Sequence, residues 1–142
     1  MTDESDEILS RVEDGVGFAT LNRPKAINSL NQGMVDELRA VLAGWEQDSE
    51  VHAVVLAGAG ERGLCAGGDV VAIYHSARAD GVAARRFWRD EYLLNGQIGR
   101  FPKTCRAWSK TRYISSTVCG RNALRTSGRL NATRTVASLT WR

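Results

Sequence analysis

A glycine-rich segment, residues 58–69, holds the residues of this 142-residue chain that are best suited to chemistry. It reads Gly-Ala-Gly-Glu-Arg-Gly-Leu-Cys-Ala-Gly-Gly-Asp and contains five glycines. Glycine costs backbone entropy on folding, so a loop this rich in glycine indicates that another group must approach its main chain closely. The segment is therefore the first candidate for a binding site.

One interpretation of this segment is a dinucleotide site. Gly58, Gly60 and Gly63 fit the pattern G-x-G-x-x-G after an apolar run, and Asp80 follows about 20 residues later. The context argues against this interpretation, because such a loop runs directly into a helix. Here Leu-Cys-Ala-Gly-Gly intervenes, and Asp80 ends a helical pattern instead of a second strand.

The second half of the segment, residues 65–69, favours a different chemistry. Gly67 and Gly68 expose main-chain N–H groups at the start of a helix that Asp69 would cap. Such groups attract negative charge. They could hold the oxygen of a thioester that becomes an enolate or a tetrahedral intermediate, at about 3–4 kcal/mol per well-placed donor. A tight turn that needs glycine for positive φ explains the composition equally well.

Strand patterns precede this segment. The β-prone runs 8–12 and 16–21 flank Asp14-Gly15 and predict a hairpin, and Pro24 ends its second strand. Residues 51–57 are β-branched and nearly all apolar, which predicts a buried parallel strand that contains His52.

Helical patterns alternate with these strands. Ser29 and Gln32 stand in a capping-box relation, so a helix should begin there. Its apolar stripe is predicted to be Met34, Leu38, Val41, Leu42 and Trp45. A short helix should follow Asp69, and a longer one should span roughly 81–99. The alternation predicts an α/β fold.

Two motifs carry a resemblance to a known family. Residues 22–31, Asn-Arg-Pro-Lys-Ala-Ile-Asn-Ser-Leu-Asn, and residues 63–69, Gly-Leu-Cys-Ala-Gly-Gly-Asp, resemble the enoyl-CoA hydratase/isomerase (crotonase) superfamily in order and separation. The Cys-Ala-Gly-Gly-Asp variant and residues 87–95, Phe-Trp-Arg-Asp-Glu-Tyr-Leu-Leu-Asn, resemble its 3-hydroxyisobutyryl-CoA hydrolase branch, whereas typical hydratases read more like A-G-A-D. The resemblance covers residues 8–103.

This resemblance implies the N-terminal part of a crotonase-like spiral of ββα units. The implied parent activity is hydrolysis of an acyl-CoA thioester in valine degradation. Enoyl-CoA hydratase or isomerase activity is the alternative within the class, and a non-catalytic acyl-CoA-binding or defunct fragment is the alternative outside it.

The resemblance also implies site roles. The N–H of Gly68 would donate to the thioester oxygen, and coenzyme A would lie against Lys25, Ala26, Ala66 and Gly67. Coenzyme A would enter as part of the substrate, so no separate cofactor and no metal are implied. An acyl-CoA thioester is the expected partner, and an exposed parallel sheet edge would invite a homo-oligomer.

The charge of the chain changes near Lys103. Residues 1–103 carry a net charge of −5, whereas residues 104–142 carry +8 and no acidic residue. We therefore expect a partial acyl-CoA-binding domain at 1–103 and a basic tail at 104–142. The tail is unlike the family, and a truncated or altered reading frame would explain it. It should be largely disordered, and nucleic-acid binding is its less favoured interpretation.

The last acidic residue of the chain is Glu91. The family's acid/base carboxylates lie further on, in Pro-Glu and Pro-Asp-Gly-Gly-like motifs that this chain lacks. Of the remaining carboxylates, Asp69 is expected to cap a helix, and Asp90 and Glu91 to be solvated. The chain is therefore expected to be inactive.

The composition limits the other function classes. With 43% hydrophobic and 25% charged residues, the chain has the balance of a globular protein. It shows neither a signal peptide nor the roughly 18 consecutive apolar residues of a membrane helix. Three cysteines without a C-x-x-C pair indicate free thiols. These features predict a cytoplasmic protein.

Overall fold

A computed structural model describes residues 6–108 of the chain, which form one mixed sheet covered by helices. The strands are β1 (Ile8–Glu13), β2 (Val16–Leu21), β3 (Ala53–Gly58) and β4 (Thr104–Trp108). The helices are α1 (Gln32–Gln47), α2 (Val70–Arg78) and α3 (Val82–Gly99), with a 3-10 turn at Pro24–Ala26. The predicted α/β class is confirmed.

The sheet has the order β1-β2-β3-β4. β1 and β2 are antiparallel, whereas β2 with β3 and β3 with β4 are parallel. α1 packs against β1, β2 and α3, and the hydrophobic core lies between these elements. No helix within residues 6–108 has the length and apolarity to span a membrane.

The predicted hairpin is confirmed. Asp14 and Gly15 form its two-residue turn, with φ of 49° and 76°. Positive φ at both central positions is the geometry that matches the right-handed twist of the flanking strands. The register pairs Ile8 with Leu21 and Glu13 with Val16, so the strands meet without a slip.

The predicted start of α1 at Ser29 is wrong by two residues. Asn31 caps the helix, because its side-chain oxygen accepts the Met34 N–H at 2.9 Å. Ile27 and Asn28 take left-handed φ values of 52° and 54°, which turns the chain once more before the helix can begin. The apolar stripe is as predicted: Met34, Leu38, Leu42 and Trp45 are buried, and Val41 packs against them.

The strand predicted at 51–57 lies at Ala53–Gly58 and is parallel, as expected. His52 precedes it and is exposed, and its N–H donates to Gly15 O at 2.8 Å. Val54 and Leu56 face the core, while the alternate positions are only partly buried. The strand is therefore covered more fully on one face than on the other.

The sheet continues past the predicted boundary at Lys103. β4 consists of residues assigned to the tail, and it pairs with β3 from Ala53–Thr104 to Ala57–Trp108. Its alternating Cys105 and Ala107 pack against the core. Period-2 burial of two small residues is a weak signal in a sequence, so this strand was not predicted. The rest of the predicted tail, 109–142, lies outside the described residues.

Candidate functional site

The two sequence motifs meet at the carboxyl end of β3, where Asn28 joins them. Its side-chain amide donates to Ala59 O at 2.9 Å and to Gly63 O at 3.3 Å. Its side-chain oxygen accepts the Arg23 N–H at 2.9 Å. Asn28 is only 1% exposed. The first motif therefore holds the glycine-rich segment in place through the side chain of Asn28.

The first glycines of the segment serve the fold of the loop. A Cβ on Gly58 would collide with the carbonyl oxygens of Leu64 and Gly63, so only glycine allows these two stretches of main chain to lie so close together. No helix follows β3 directly, since α2 begins at Val70. Asp80 is exposed and accepts the Val82 N–H at 2.9 Å. These contacts do not build the dinucleotide site that the spacing suggested.

A parallel β-bridge between Leu30 and Gly68 sets the direction of the main chain at the candidate oxyanion donor. Leu30 N–H donates to Gly67 O, and Asp69 N–H donates to Leu30 O, each at 2.8 Å. Both flanking peptides therefore face Leu30, and the N–H of Gly68 points the other way. Among residues 6–108 that N–H has no acceptor. A free, oriented N–H is what an oxyanion site requires.

The other two amides of this turn are used within the protein. Ala66 N–H donates to Ile27 O at 3.0 Å. Gly67 N–H, which was expected to be free, donates to Cys65 Sγ at 3.3 Å. Gly68 is thus the single donor left of the expected pair. Ala66 and Gly67 remain predicted contacts for coenzyme A through their exposed surface.

Lys25 and Ala26 lie in the 3-10 turn beside the loop. Pro24, the first residue of that turn, lies against Gly60, where an added Cβ would be 3.0 Å from Pro24 Cβ. Lys25 is exposed and has no acidic partner within the described residues. Its cation is therefore available to a phosphate, as the resemblance implies.

The predicted cap Asp69 is confirmed. Its carboxylate accepts the N–H groups of Val71 at 3.1 Å and Ala72 at 3.2 Å and pairs with Arg23 at 3.0 Å. The hydrogen bond from Ala72, with the bond and charge of Arg23, lowers the pKa of Asp69. This carboxylate is fully occupied in holding α2, so it is not available as a base.

The prediction that Asp90 and Glu91 are solvated is wrong, since both are buried. Asp90 accepts from Arg89 at 2.9 Å and from Gln32 at 3.0 Å, and the bond from Arg89 is the main cause of its lowered pKa. Glu91 is 2% exposed and has no hydrogen-bond or ion-pair partner within the described residues. Burial raises its pKa.

Glu91 lies beside the glycine-rich segment. The ring of Phe87, one helical turn earlier on α3, occupies the space where Gly68 would carry a Cβ. The negative charge of Glu91 also contributes to the raised pKa of Cys65. Sequence reasoning missed Glu91, although the helical spacing of Phe87, Glu91, Leu94 and Ile98 placed it on the buried face.

Gly68→Ala should destabilise the protein by about 1–3 kcal/mol, because the new Cβ would lie 2.7 Å from the Phe87 ring. Leucine in place of Phe87 should relieve the collision. We therefore expect Gly68→Ala to cost about 1 kcal/mol less in a Phe87→Leu background than in the parent. Urea unfolding of the four proteins of this cycle measures the difference, and an additive cycle would contradict the close packing.

Comparison with known proteins places this geometry in one family. The sequence model of the family described as enoyl-CoA hydratase/isomerase matches residues 16–110. The chain is 41% identical over 97 residues to the 3-hydroxyisobutyryl-CoA hydrolase, mitochondrial, of Danio rerio. That match covers 68% of this chain and 25% of the relative. The chain thus spans about a quarter of the length of the curated relatives it matches.

Solved structures show the same similarity. A carnitinyl-CoA dehydratase from Mycobacterium thermoresistibile matches with a TM-score of 0.70 and 66% identity, over 72% of this chain and 30% of the other. An enoyl-CoA hydratase from Rhodobacter sphaeroides matches with a TM-score of 0.67 and 40% identity, over 71% and 30%. The described residues therefore have the fold of this part of a crotonase.

Proposed function

Because the chain belongs to the enoyl-CoA hydratase/isomerase family, we propose that the turn at Gly68 binds an acyl-CoA thioester and polarises its carbonyl. One observation carries the proposal. The Leu30–Gly68 bridge turns the Gly68 N–H away from Leu30, and that N–H has no acceptor within residues 6–108. A thioester oxygen that gains negative charge would supply the acceptor.

Coenzyme A would lie along the mouth of the loop. The cation of Lys25, which has no acidic partner within residues 6–108, is suited to a phosphate of coenzyme A, and the exposed Ala66 offers surface to the rest of the coenzyme A group. An exposed lysine that meets a phosphate contributes on the order of 1 kcal/mol, so Lys25→Ala should weaken binding of free coenzyme A several-fold.

The reaction we propose is hydrolysis of a 3-hydroxyisobutyryl-CoA-like thioester, the activity that the names of the curated relatives give. We propose valine degradation as its setting, as the sequence resemblance implies. A water oxygen adds to the thioester carbon, and the Gly68 N–H holds the resulting oxyanion. Collapse breaks the C–S bond and releases the free acid, and the thiolate takes the proton held by the carboxyl that accepted it from water and leaves as coenzyme A. Glu91 is a buried carboxyl without a partner in the described residues, so we propose that it accepts the proton of the water, whereas Asp69 and Asp90 are paired.

Water addition to, or elimination from, the acyl chain is the second candidate. It is favoured by the 66% identity to a structure titled carnitinyl-CoA dehydratase. The same Gly68 N–H would then stabilise an enolate oxygen, and Glu91 would move a proton at the carbon next to the thioester. In this case the C–S bond stays intact.

The experiment that tests the proposal incubates the full chain with 3-hydroxyisobutyryl-CoA and, separately, with crotonyl-CoA. Release of free thiol shows hydrolysis, whereas loss of the conjugated-thioester absorbance without free thiol shows hydration. Binding of both thioesters in calorimetry without turnover would match the inactive chain predicted from the sequence. If neither thioester binds, the proposed site is contradicted.

A further inference from the structure

The side chain of Cys65 contacts both ends of Gly67. Gly67 N–H lies 3.3 Å from Cys65 Sγ, and the same sulfur lies 3.6 Å from Gly67 O. A protonated thiol can accept at one of these contacts and donate at the other. Cys65 is 3% exposed, and burial raises the pKa of its thiol, so the proton needed for the donor role is retained.

Gly67 depends on such bonds to hold its conformation. Its φ is +104°, and a Cβ at this position would touch nothing within 4 Å, so side-chain packing does not restrain it. The carbonyl of Gly67 and the N–H of Gly68 belong to one planar peptide and point in opposite directions. Whatever fixes the Gly67 carbonyl therefore also fixes the direction of the Gly68 N–H.

A second observation also indicates a ligand site near Cys65. Glu91 is buried, has no partner within the described residues, and is near enough to Cys65 for its charge to act on the thiol. A buried carboxyl without a partner is costly to a fold unless a ligand supplies the missing hydrogen bond. The thiol that contacts Gly67 is thus also influenced by the charge of a buried carboxyl that has no partner within the described residues.

We infer that Cys65 is a positioning residue, which holds the Gly67–Gly68 peptide so that the Gly68 N–H meets the thioester oxygen. The inference rests on the proposed function for its consequence, but the two bonds to Gly67 exist without a ligand. The Leu30 N–H donates to the same carbonyl at 2.8 Å, so Cys65 adds a second restraint to this peptide.

The test compares Cys65→Ala, which removes both bonds, with Cys65→Ser, which keeps a donor and an acceptor. In the free full chain, the Gly67 amide should exchange with solvent about 5- to 10-fold faster in the alanine variant and close to the parent rate in the serine variant. An acyl-CoA labelled with carbon-13 at the thioester carbonyl provides the second measurement. Its carbonyl stretch should shift to lower frequency on binding to the parent and the serine variant, and shift less in the alanine variant.

Exchange of the α1 amides is the control, and it should be equal in all three proteins if the substitutions act only at the turn. If Cys65→Ala does not fold, Cys65→Val fills the volume without hydrogen bonds and takes its place in both measurements.

Each outcome decides. If the Gly67 amide exchanges at the parent rate in the alanine variant, the inference is overturned whether or not a thioester binds. The inference is also overturned if the carbonyl stretch of the bound thioester shifts as much in the alanine variant as in the parent. A serine variant that behaves like the alanine variant also overturns it. A parent chain that binds the thioester without any shift of the carbonyl stretch overturns the proposed function and the positioning role together. That failure is separate from the others because it appears in the parent protein.

Discussion

Asn28→Ala should lower the free energy of unfolding by about 3–4 kcal/mol. The change removes three hydrogen bonds of a side chain that is 1% exposed, and it leaves the partly buried carbonyl of Ala59 and the buried carbonyl of Gly63 without this donor. Each such loss costs roughly 1 kcal/mol or more. Alanine is also disfavoured at the observed φ of 54°, which adds about 1 kcal/mol.

Two control variants separate these causes in urea unfolding. Asn28→Gly loses the same hydrogen bonds but tolerates positive φ, so it should be more stable than Asn28→Ala by about 1 kcal/mol. Asn22→Ala removes one exposed bond, to Asp6 O at 3.0 Å, and should cost less than about 1 kcal/mol. A loss below 1 kcal/mol for Asn28→Ala would mean that Asn28 does not tie the two motifs together.

Asn28→Ala should also weaken acyl-CoA binding, because hydrogen bonds from Asn28 hold the loop that presents the Gly68 N–H. In this respect Asn28 acts at a distance, through the position of the loop and not through contact with the thioester.

Local patterns were sufficient to predict most elements of the fold. The Asp14-Gly15 turn needs positive φ at both positions, and the apolar spacing of α1 and the cap at Asp69 are features that short segments carry by themselves. Each of these depends on neighbours within a few residues. For that reason the sequence could reveal them without knowledge of the tertiary contacts.

The errors arose where distant residues decide the outcome. Ser29 fits a capping box, but the left-handed pair at Ile27 and Asn28, held by bonds to the loop after β3, delays the helix to Asn31. Glu91 looks like a surface glutamate until Phe87 is seen packed against Gly68. Helical spacing places Glu91 on the apolar face of α3, but whether an acid on that face is buried depends on the distant elements that cover it.

Glu91→Gln should lower any thioester turnover by about 100-fold or more, since proton transfer by a positioned carboxyl typically contributes 10²- to 10⁴-fold. The amide keeps the shape of the side chain but cannot accept the proton of the attacking water. Initial rates of thiol release from 3-hydroxyisobutyryl-CoA give the measurement, and calorimetry shows whether binding is retained. Equal turnover in parent and variant would exclude Glu91 from the chemistry.

The same substitution should stabilise the fold near neutral pH. Burial raises the pKa of Glu91 in the folded protein above its ordinary value of 4.5. As pH rises from the ordinary pKa to the raised one, Glu91 releases its proton in the unfolded chain before it does so in the folded protein. The parent therefore loses stability until the raised pKa is passed. Glutamine carries no such penalty, and its advantage should vanish below about pH 4, where Glu91 is protonated in both states.

Asp90→Asn is the matched control. Asp90 is the residue before Glu91, and its pKa is shifted in the opposite direction. Hydrogen bonds from Arg89 and Gln32 lower the pKa of Asp90, so this carboxylate stabilises the fold above its ordinary value of 3.8 and loses that effect as pH falls through its lowered pKa. Thermal unfolding from about pH 2 to pH 8 should therefore show Asp90→Asn losing stability relative to the parent as pH rises to about 4 and staying lower above it, and Glu91→Gln gaining stability relative to the parent as pH rises above about 4. If Glu91→Gln instead loses stability relative to the parent as pH rises, Glu91 is paired in the folded protein and cannot be the free carboxyl of the site.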